Sequence, residues 1–234
     1  MPPASTTSRP LQRRRGPLRL ALDHPSALLL GVQTVVVLAY PFLDESTGGR
    51  AVIGVVQLVA VLAALAAVRR TPALTWVAAL LCGPALVLAV WESVQSGNDA
   101  VVLASACVHV PFYGYVSYAM GRYLFHDEQV TRDELFATGA AFTVVAWAFA
   151  YLYAGAQVLW PGSFGDAAGP GDQPWFELLF LSFTTMTSVG LSDIVPLGGH
   201  ARSFVMVEQV AGVLYVALVV ARLVGLTVSR RDRA

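Results

Sequence analysis

Hydroxyl and carboxyl side chains crowd into one stretch of this chain, Thr184-Thr185-Met186-Thr187-Ser188-Val189-Gly190-Leu191-Ser192-Asp193, around a single glycine. Gly190 supplies a residue that meets no side-chain penalty at unusual dihedrals. Threonines elsewhere in an apolar helix are packing residues, but Thr184, Thr185 and Thr187 stand directly before Ser188-Val189-Gly190, which favours a functional reading. Glu208 lies inside the last apolar stretch. An ionisable group is expensive in lipid, so it must face protein or water. It is expected to be held by hydroxyls such as Thr184 or Thr185, with added negative charge near a cavity as the alternative. His109, beside Pro111, is expected as a hydrogen-bonded packing histidine in preference to a proton sensor. Cys82 and Cys107 sit in apolar runs as small packing residues. Neither a disulfide framework nor a zinc site follows, because a metal site needs clustered ligands.

The elements that must position these residues are apolar. Of 234 residues, 56% are hydrophobic and 13% charged, and the mean hydropathy is +0.62. A soluble domain with so little polar surface would aggregate, so lipid is the expected solvent. Six stretches are long enough to span a bilayer: Pro25 to Leu43, Ala51 to Val68, Ala73 to Val94, Ala100 to Gly121, Leu135 to Leu159 and Ser203 to Val228. Pro84 and Pro111 are expected to kink their helices without breaking them. Residues 1–22 read as a basic, disordered cytoplasmic tail, 23–131 as a four-helix transmembrane region, and 132–234 as a third unit.

All fifteen basic residues are arginine. With six spans, Arg9, Arg13, Arg14, Arg15, Arg19, Arg69, Arg70, Arg122, Arg132, Arg230, Arg231 and Arg233 fall on one side. Only Arg50 and Arg202 fall on the other, so both termini are expected in the cytoplasm of a multi-pass plasma-membrane protein. Arg222 is expected to snorkel to the interface. Between the fifth and sixth spans, Pro161 to Pro174 carries the Gly, Pro and Asp of a loop. Trp175 to Thr187 then reads as a helix of roughly 20 Å, too short to span, which is expected to enter the membrane and stop partway.

The run from Thr184 to Pro196 resembles the signature of the potassium-channel superfamily, in which a pore helix ending in threonines passes into a filter and then a proline. The resemblance covers about Arg132 to Ser229 and is best to bacterial two-helix pore modules of the "ion channel" family. It implies an all-α membrane protein of six transmembrane helices, with a re-entrant pore helix and filter loop between helices 5 and 6. It further implies that the carbonyls of Ser188, Val189, Gly190 and Leu191 ligate the ion, with Ser192 in the filter and Asp193 at its mouth. Such rings of carbonyls replace the water around a dehydrated cation. The C-terminal end of the pore helix carries about half a negative charge, which favours cations. Gly212, twenty residues after Ser192, matches an inner-helix hinge, and close packing is the equal alternative.

The family's aromatic position is Leu191 here and its next glycine is Ser192, where a left-handed backbone would cost a non-glycine residue about 1 kcal/mol. The implied function is a passive, homotetrameric cation channel in the lipid bilayer, conducting potassium or also sodium. A weakly selective cation channel and a non-conducting pore-loop subunit are the alternatives. The fourth span has only Arg122, at its end, so no voltage sensor is expected. Five residues follow Ser229, so neither a soluble ligand-binding domain nor nucleic-acid binding is expected, and no cofactor besides the permeant cation. Gly190-Leu191-Ser192 also resembles the Gly-x-Ser of six-span intramembrane serine proteases, but Asp193 stands where that motif ends in glycine. The last helix offers no histidine base, so an enzyme is not expected.

Overall fold

The computed structural model describes residues 25–43, 59–60, 62–64, 75–95, 97–124 and 132–231. The expected tail, most of the expected second span and the arginines at 69 and 70 lie outside them. Helices α1 (Pro25–Leu43), α2 (Thr75–Val94), α3 (Asp99–Leu124) and α4 (Arg132–Leu159) precede a loop that holds a small sheet. The short α5 (Trp175–Met186) and the long α6 (Gly199–Arg231) follow. By length and composition α1, α3, α4 and α6 can each cross a membrane, while α2 and α5 hold shorter apolar segments. Helix α2 runs on through Pro84 and α3 through Pro111. A membrane helix tolerates proline where neighbouring groups satisfy the freed carbonyl.

The helices come close because their contacting faces are small. In α4, Ala137, Ala140, Ala141, Ala146, Ala150 and Ala154 are buried. Gly155 meets Ala106 of α3 so closely that an added methyl would lie 2.7 Å from the Ala106 methyl. Between helices in lipid there is no hydrophobic drive, so van der Waals contact of this kind is what associates them.

Helix directions follow from three contacts between α1 and α4. Ser26 donates to Asp133 at 3.0 Å, Thr143 donates to Gln33 at 2.5 Å, and Leu30 lies against Gly139 between them. Contacts rising together along both chains make α1 and α4 parallel. An even number of membrane crossings must therefore separate their starting points. Helix α6 runs the other way: Arg222 near its end pairs with Glu134 at 3.6 Å, and the Tyr215 hydroxyl donates to the Thr138 carbonyl. Arg222, expected at the interface, pairs there with a carboxylate in the first turn of the neighbouring helix.

Where a plain loop is expected, the segment after α4 forms two short strands, β1 (Phe164–Asp166) and β2 (Gly169–Pro170), and these join β3 (Val195–Pro196), which lies between α5 and α6, in a small sheet of order β2-β1-β3 within an otherwise helical chain. Phe164 is fully buried against Tyr153, with ring centroids 5.3 Å apart, and this anchors β1. Gly165 allows Gly169 and Leu197 to approach where a side chain would collide. Pairing of Phe164 with Pro196 and Gly165 with Val195 ties the segment after Asp193 back to the loop. The Ser163 carbonyl adds two bonds from the amides of Leu197 and Gly198, at 2.8 and 3.0 Å.

Replacing Gly155 by alanine forces α3 and α4 apart and is expected to destabilise the protein by about 1–3 kcal/mol. Thermal unfolding of the purified protein in detergent measures this, and an unchanged midpoint contradicts the contact.

Candidate functional site

Helix α5 is fixed at its start by the side chain of Gln157. That amide donates to the Gln173 carbonyl and accepts the Gln173 amide, both at 3.0 Å, so the end of α4 orients the residue before Pro174. Pro174 then caps α5 at φ −56° and ψ 147°, with Glu177 in the first turn where the helix dipole favours an acid. At 12 residues α5 is about 18 Å long, too short to cross a bilayer.

The other end of α5 leads into the residues expected to form a filter. Thr187 is the C-cap, and Ser188 follows in the left-handed region at φ 59°. The Ser188 amide donates to the Thr185 carbonyl and the Val189 amide to the Thr184 carbonyl, each at 3.0 Å. This is the Schellman arrangement, in which a left-handed residue lets the chain turn back over the last helical carbonyls. Gly190, also left-handed at φ 66°, sends a third amide to the Thr184 carbonyl at 3.0 Å.

Three successive amides thus point at the end of α5. The chain has no cis peptide among the described residues, and in a trans peptide the C=O is directed opposite to the N–H across the same plane. The carbonyls of Thr187, Ser188 and Val189 are therefore aimed together away from α5. Residues 187–191 are exposed on a single chain, Val189 to 66% and Leu191 to 73%. The Gly190 carbonyl is engaged differently, accepting the Ser192 amide at 3.2 Å.

Backbone strain falls at a different residue from the one expected. Ser192 does not take a positive φ, so the penalty foreseen there does not arise. Its hydroxyl instead accepts the Ile194 amide at 3.2 Å, and Ile194 is buried beneath it. Among the described residues the non-glycine residue with a left-handed backbone is Ser188, where that region costs about 1–2 kcal/mol. Only the path of the chain over the helix end reveals this.

The hydroxyls of α5 also differ from expectation. Thr184 donates to the Leu181 carbonyl at 2.9 Å and Thr187 to the Phe183 carbonyl at 2.7 Å, so both back-bond to their own helix. Glu208 of α6 is fully buried and is held by Ser182 and by Tyr153 of α4, not by Thr184 or Thr185. Ser182 Oγ also lies 2.9 Å from the Ala146 carbonyl, so this knot joins α4, α5 and α6. The spacing puts Ser182 on one helix face with Leu178 and Thr185 but does not say which of the two hydroxyls meets Glu208. Tyr153 left no such signal.

One turn further along α6, Gly212 is buried against the end of α5, and an added methyl would fall under 3.0 Å from backbone atoms of Met186. The structure thus gives Gly212 a packing role, within a helix that runs unbroken past it. Arg202, at the start of α6, donates to the Pro196 carbonyl at 3.2 Å, and Asp193 stands exposed at the outer side of the turn.

Residues 139–229 match the family model described as "Ion channel", a segment that runs from α4 through the loop, α5 and the Ser188–Asp193 turn into α6. No curated protein and no solved structure matches the chain. A largely helical, membrane-embedded chain thus carries an ion-channel-like module in its second half.

Gly212→Ala is expected to push α6 away from the Met186 carbonyl and destabilise the protein by about 1–3 kcal/mol. Glu208→Ala leaves the Tyr153 hydroxyl without its acceptor, while Ser182 keeps the Ala146 carbonyl, and is expected to cost about 1–3 kcal/mol, with Glu208→Gln milder. Denaturant titration of each variant in detergent micelles reads both effects, and wild-type stability in either alanine variant contradicts the packing described.

Proposed function

We propose that the protein is a passive cation channel, a homotetramer in the plasma membrane with both termini cytoplasmic, which conducts potassium through a filter built from residues 188–193. One observation carries this reading: the amides of Ser188, Val189 and Gly190 are all taken up by the end of α5, so a parallel set of carbonyls is left facing outward from the subunit. Lipid cannot solvate such groups, and irregular backbone at membrane depth is tolerated only where protein or water covers it. Copies arranged around an axis bring these carbonyls into rings that replace the hydration shell of a cation.

Two further features agree. Only 17% of the membrane-length part of α6 is buried within one chain, against 44% of α4, which leaves α6 as a face for neighbouring subunits. The dipole of α5 puts its negative end beside Ser188, where it favours a cation and disfavours an anion. In this reading Ser188, Val189, Gly190 and Leu191 line the ion path, with Ser192 and Asp193 at the outer mouth. Thr184, Thr185 and Thr187 shape the end of the pore helix, Glu208 braces it, and Gly212 lets the inner helix pack closely against it. Six spans place the two termini on one side.

A second reading, a weakly selective cation pore, rests on the Gly190 carbonyl. It accepts the Ser192 amide and so is drawn from the set that would face the ion. Fewer carbonyl rings weaken the discrimination of potassium from sodium.

Purified protein in a planar bilayer under a potassium/sodium gradient tests both readings. The first predicts single-channel currents that reverse near the potassium potential, and the second currents that reverse near zero. Gly190→Ala puts a side chain on a left-handed residue and is expected to abolish current while leaving the tetramer intact. A tetramer that never conducts identifies a non-conducting subunit, and a monomer ends the channel reading.

A further inference from the structure

The knot between α4, α5 and α6 is a row of oxygen atoms, and the hydrogens between them can be counted. The Tyr153 hydroxyl meets Glu208 Oε2, Glu208 Oε1 meets Ser182 Oγ, and Ser182 Oγ lies 2.9 Å from the Ala146 carbonyl. Oxygens this close repel unless a hydrogen lies between them, so each of these contacts needs one. Tyr153 and Ser182 each bring a single hydroxyl hydrogen, and the Ala146 carbonyl brings none. Because that carbonyl can only accept, the Ser182 hydrogen belongs to it, and the Tyr153 hydrogen belongs to Glu208 Oε2. The contact between Glu208 Oε1 and Ser182 then lacks a hydrogen unless the carboxyl itself carries it.

The opposite assignment, in which Ser182 donates to an ionised Glu208, leaves Ser182 Oγ and the Ala146 carbonyl facing each other with nothing between them. The surroundings also favour the neutral acid. Glu208, Ser182 and Tyr153 are all fully buried. An ionised carboxylate in such a place needs a cation beside it. The arginines on either side of it along α6 are engaged elsewhere, Arg202 with the Pro196 carbonyl and Arg222 with Glu134. From α4 the titratable group that faces Glu208 is Tyr153, and α5 presents the uncharged Ser182.

We propose that Glu208 is a proton-binding site, held in the folded protein as a neutral acid that donates to Ser182, and that loss of this proton to solvent unties α5 from α4. With the proton bound, every hydrogen bond in the row runs one way, from Tyr153 to Glu208 to Ser182 to the Ala146 carbonyl. When it leaves, Oε1 becomes a bare acceptor and the Ser182 hydrogen turns toward it. The Ala146 carbonyl then loses its bond, and with it goes the polar tie between the middle of α5 and α4. The Ser188–Asp193 turn hangs from the end of that helix, so its bracing weakens. The effect on current rests on the channel reading above, whereas the protonation of Glu208 does not.

The test has two arms on the full chain. Infrared difference spectra in detergent distinguish the C=O stretch of a protonated carboxyl from the bands of a carboxylate. At about pH 6 the wild type is expected to show a protonated-carboxyl band that Glu208→Gln lacks. The band is expected to fade reversibly toward about pH 10, since buried glutamates release their proton near pH 8–9. The glutamine amide keeps both the donor and the acceptor of the neutral acid. Should Glu208→Gln nevertheless fail to fold, Ser182→Ala removes the acceptor of the acid's hydrogen, and the band is expected to persist at a higher frequency. In planar bilayers, raising the pH from about 6 to about 10 on both sides is expected to lower the current about tenfold, a typical coupling between sites, in the wild type but not in Glu208→Gln. No difference band between wild type and Glu208→Gln, or a frequency unmoved by Ser182→Ala, overturns the proton site. A current with the same pH response in wild type and Glu208→Gln overturns the link to α5. A titrating band in protein that never conducts supports the proton site and rejects the pore.

Discussion

The last carbonyls of a helix have no partner within it, and in a largely apolar chain few other groups can supply one. In this protein the end of α5 is closed by its own continuation: the Thr184 carbonyl takes the amides of Val189 and Gly190, and the Thr185 carbonyl takes that of Ser188. The rest of the second half follows from this closure. It forces Ser188 into the left-handed region and turns the next carbonyls outward together. The same arrangement that satisfies one set of backbone groups thus leaves the next set, the carbonyls of Thr187, Ser188 and Val189, directed away from α5.

The other contacts hold α5 where the closure can work. Gln157 fixes its entry, the knot of Tyr153, Ser182 and Glu208 fixes its middle, and Gly212 lets α6 lie against its final carbonyl. Each polar side chain buried in the knot faces another polar group on a different helix. Removing one takes a hydrogen bond from its neighbours where no water replaces it. The strand pairing of β1 with β3 then secures the outer end of the turn, beyond Asp193. The segment between is thus braced on both sides while its own side chains remain exposed.

The leading helices meet α5 through aromatic rings. Trp175 and Phe176 lie at its start, where Tyr40, Trp147 and Tyr151 surround them. By contrast, the lower part of α6 is separated from Leu30 of α1 by an apolar cleft of about 370 Å³. A change among the leading helices therefore bears first on the short helix and only indirectly on the long one.

Apolar periods and lengths were enough to place α1 over Pro25 to Leu43 and to start α5 at Trp175, because chain that must satisfy its backbone in lipid has little choice but a helix. The hydroxyl-rich run around Gly190 likewise marked where the candidate site lies. Which hydroxyl holds Glu208 was not legible: Thr184 and Ser182 are alike in chemistry and differ in the face they present, and that face depends on how α4 and α6 pack around α5. The same holds for strain at Ser188 in place of Ser192, and for the small sheet that ties the loop to β3. Local residue type and spacing determine which segments become helices and where oxygen-bearing groups gather. Contacts between residues distant in the chain decide which of those groups meet, because only the packed helices fix distances to within a hydrogen bond.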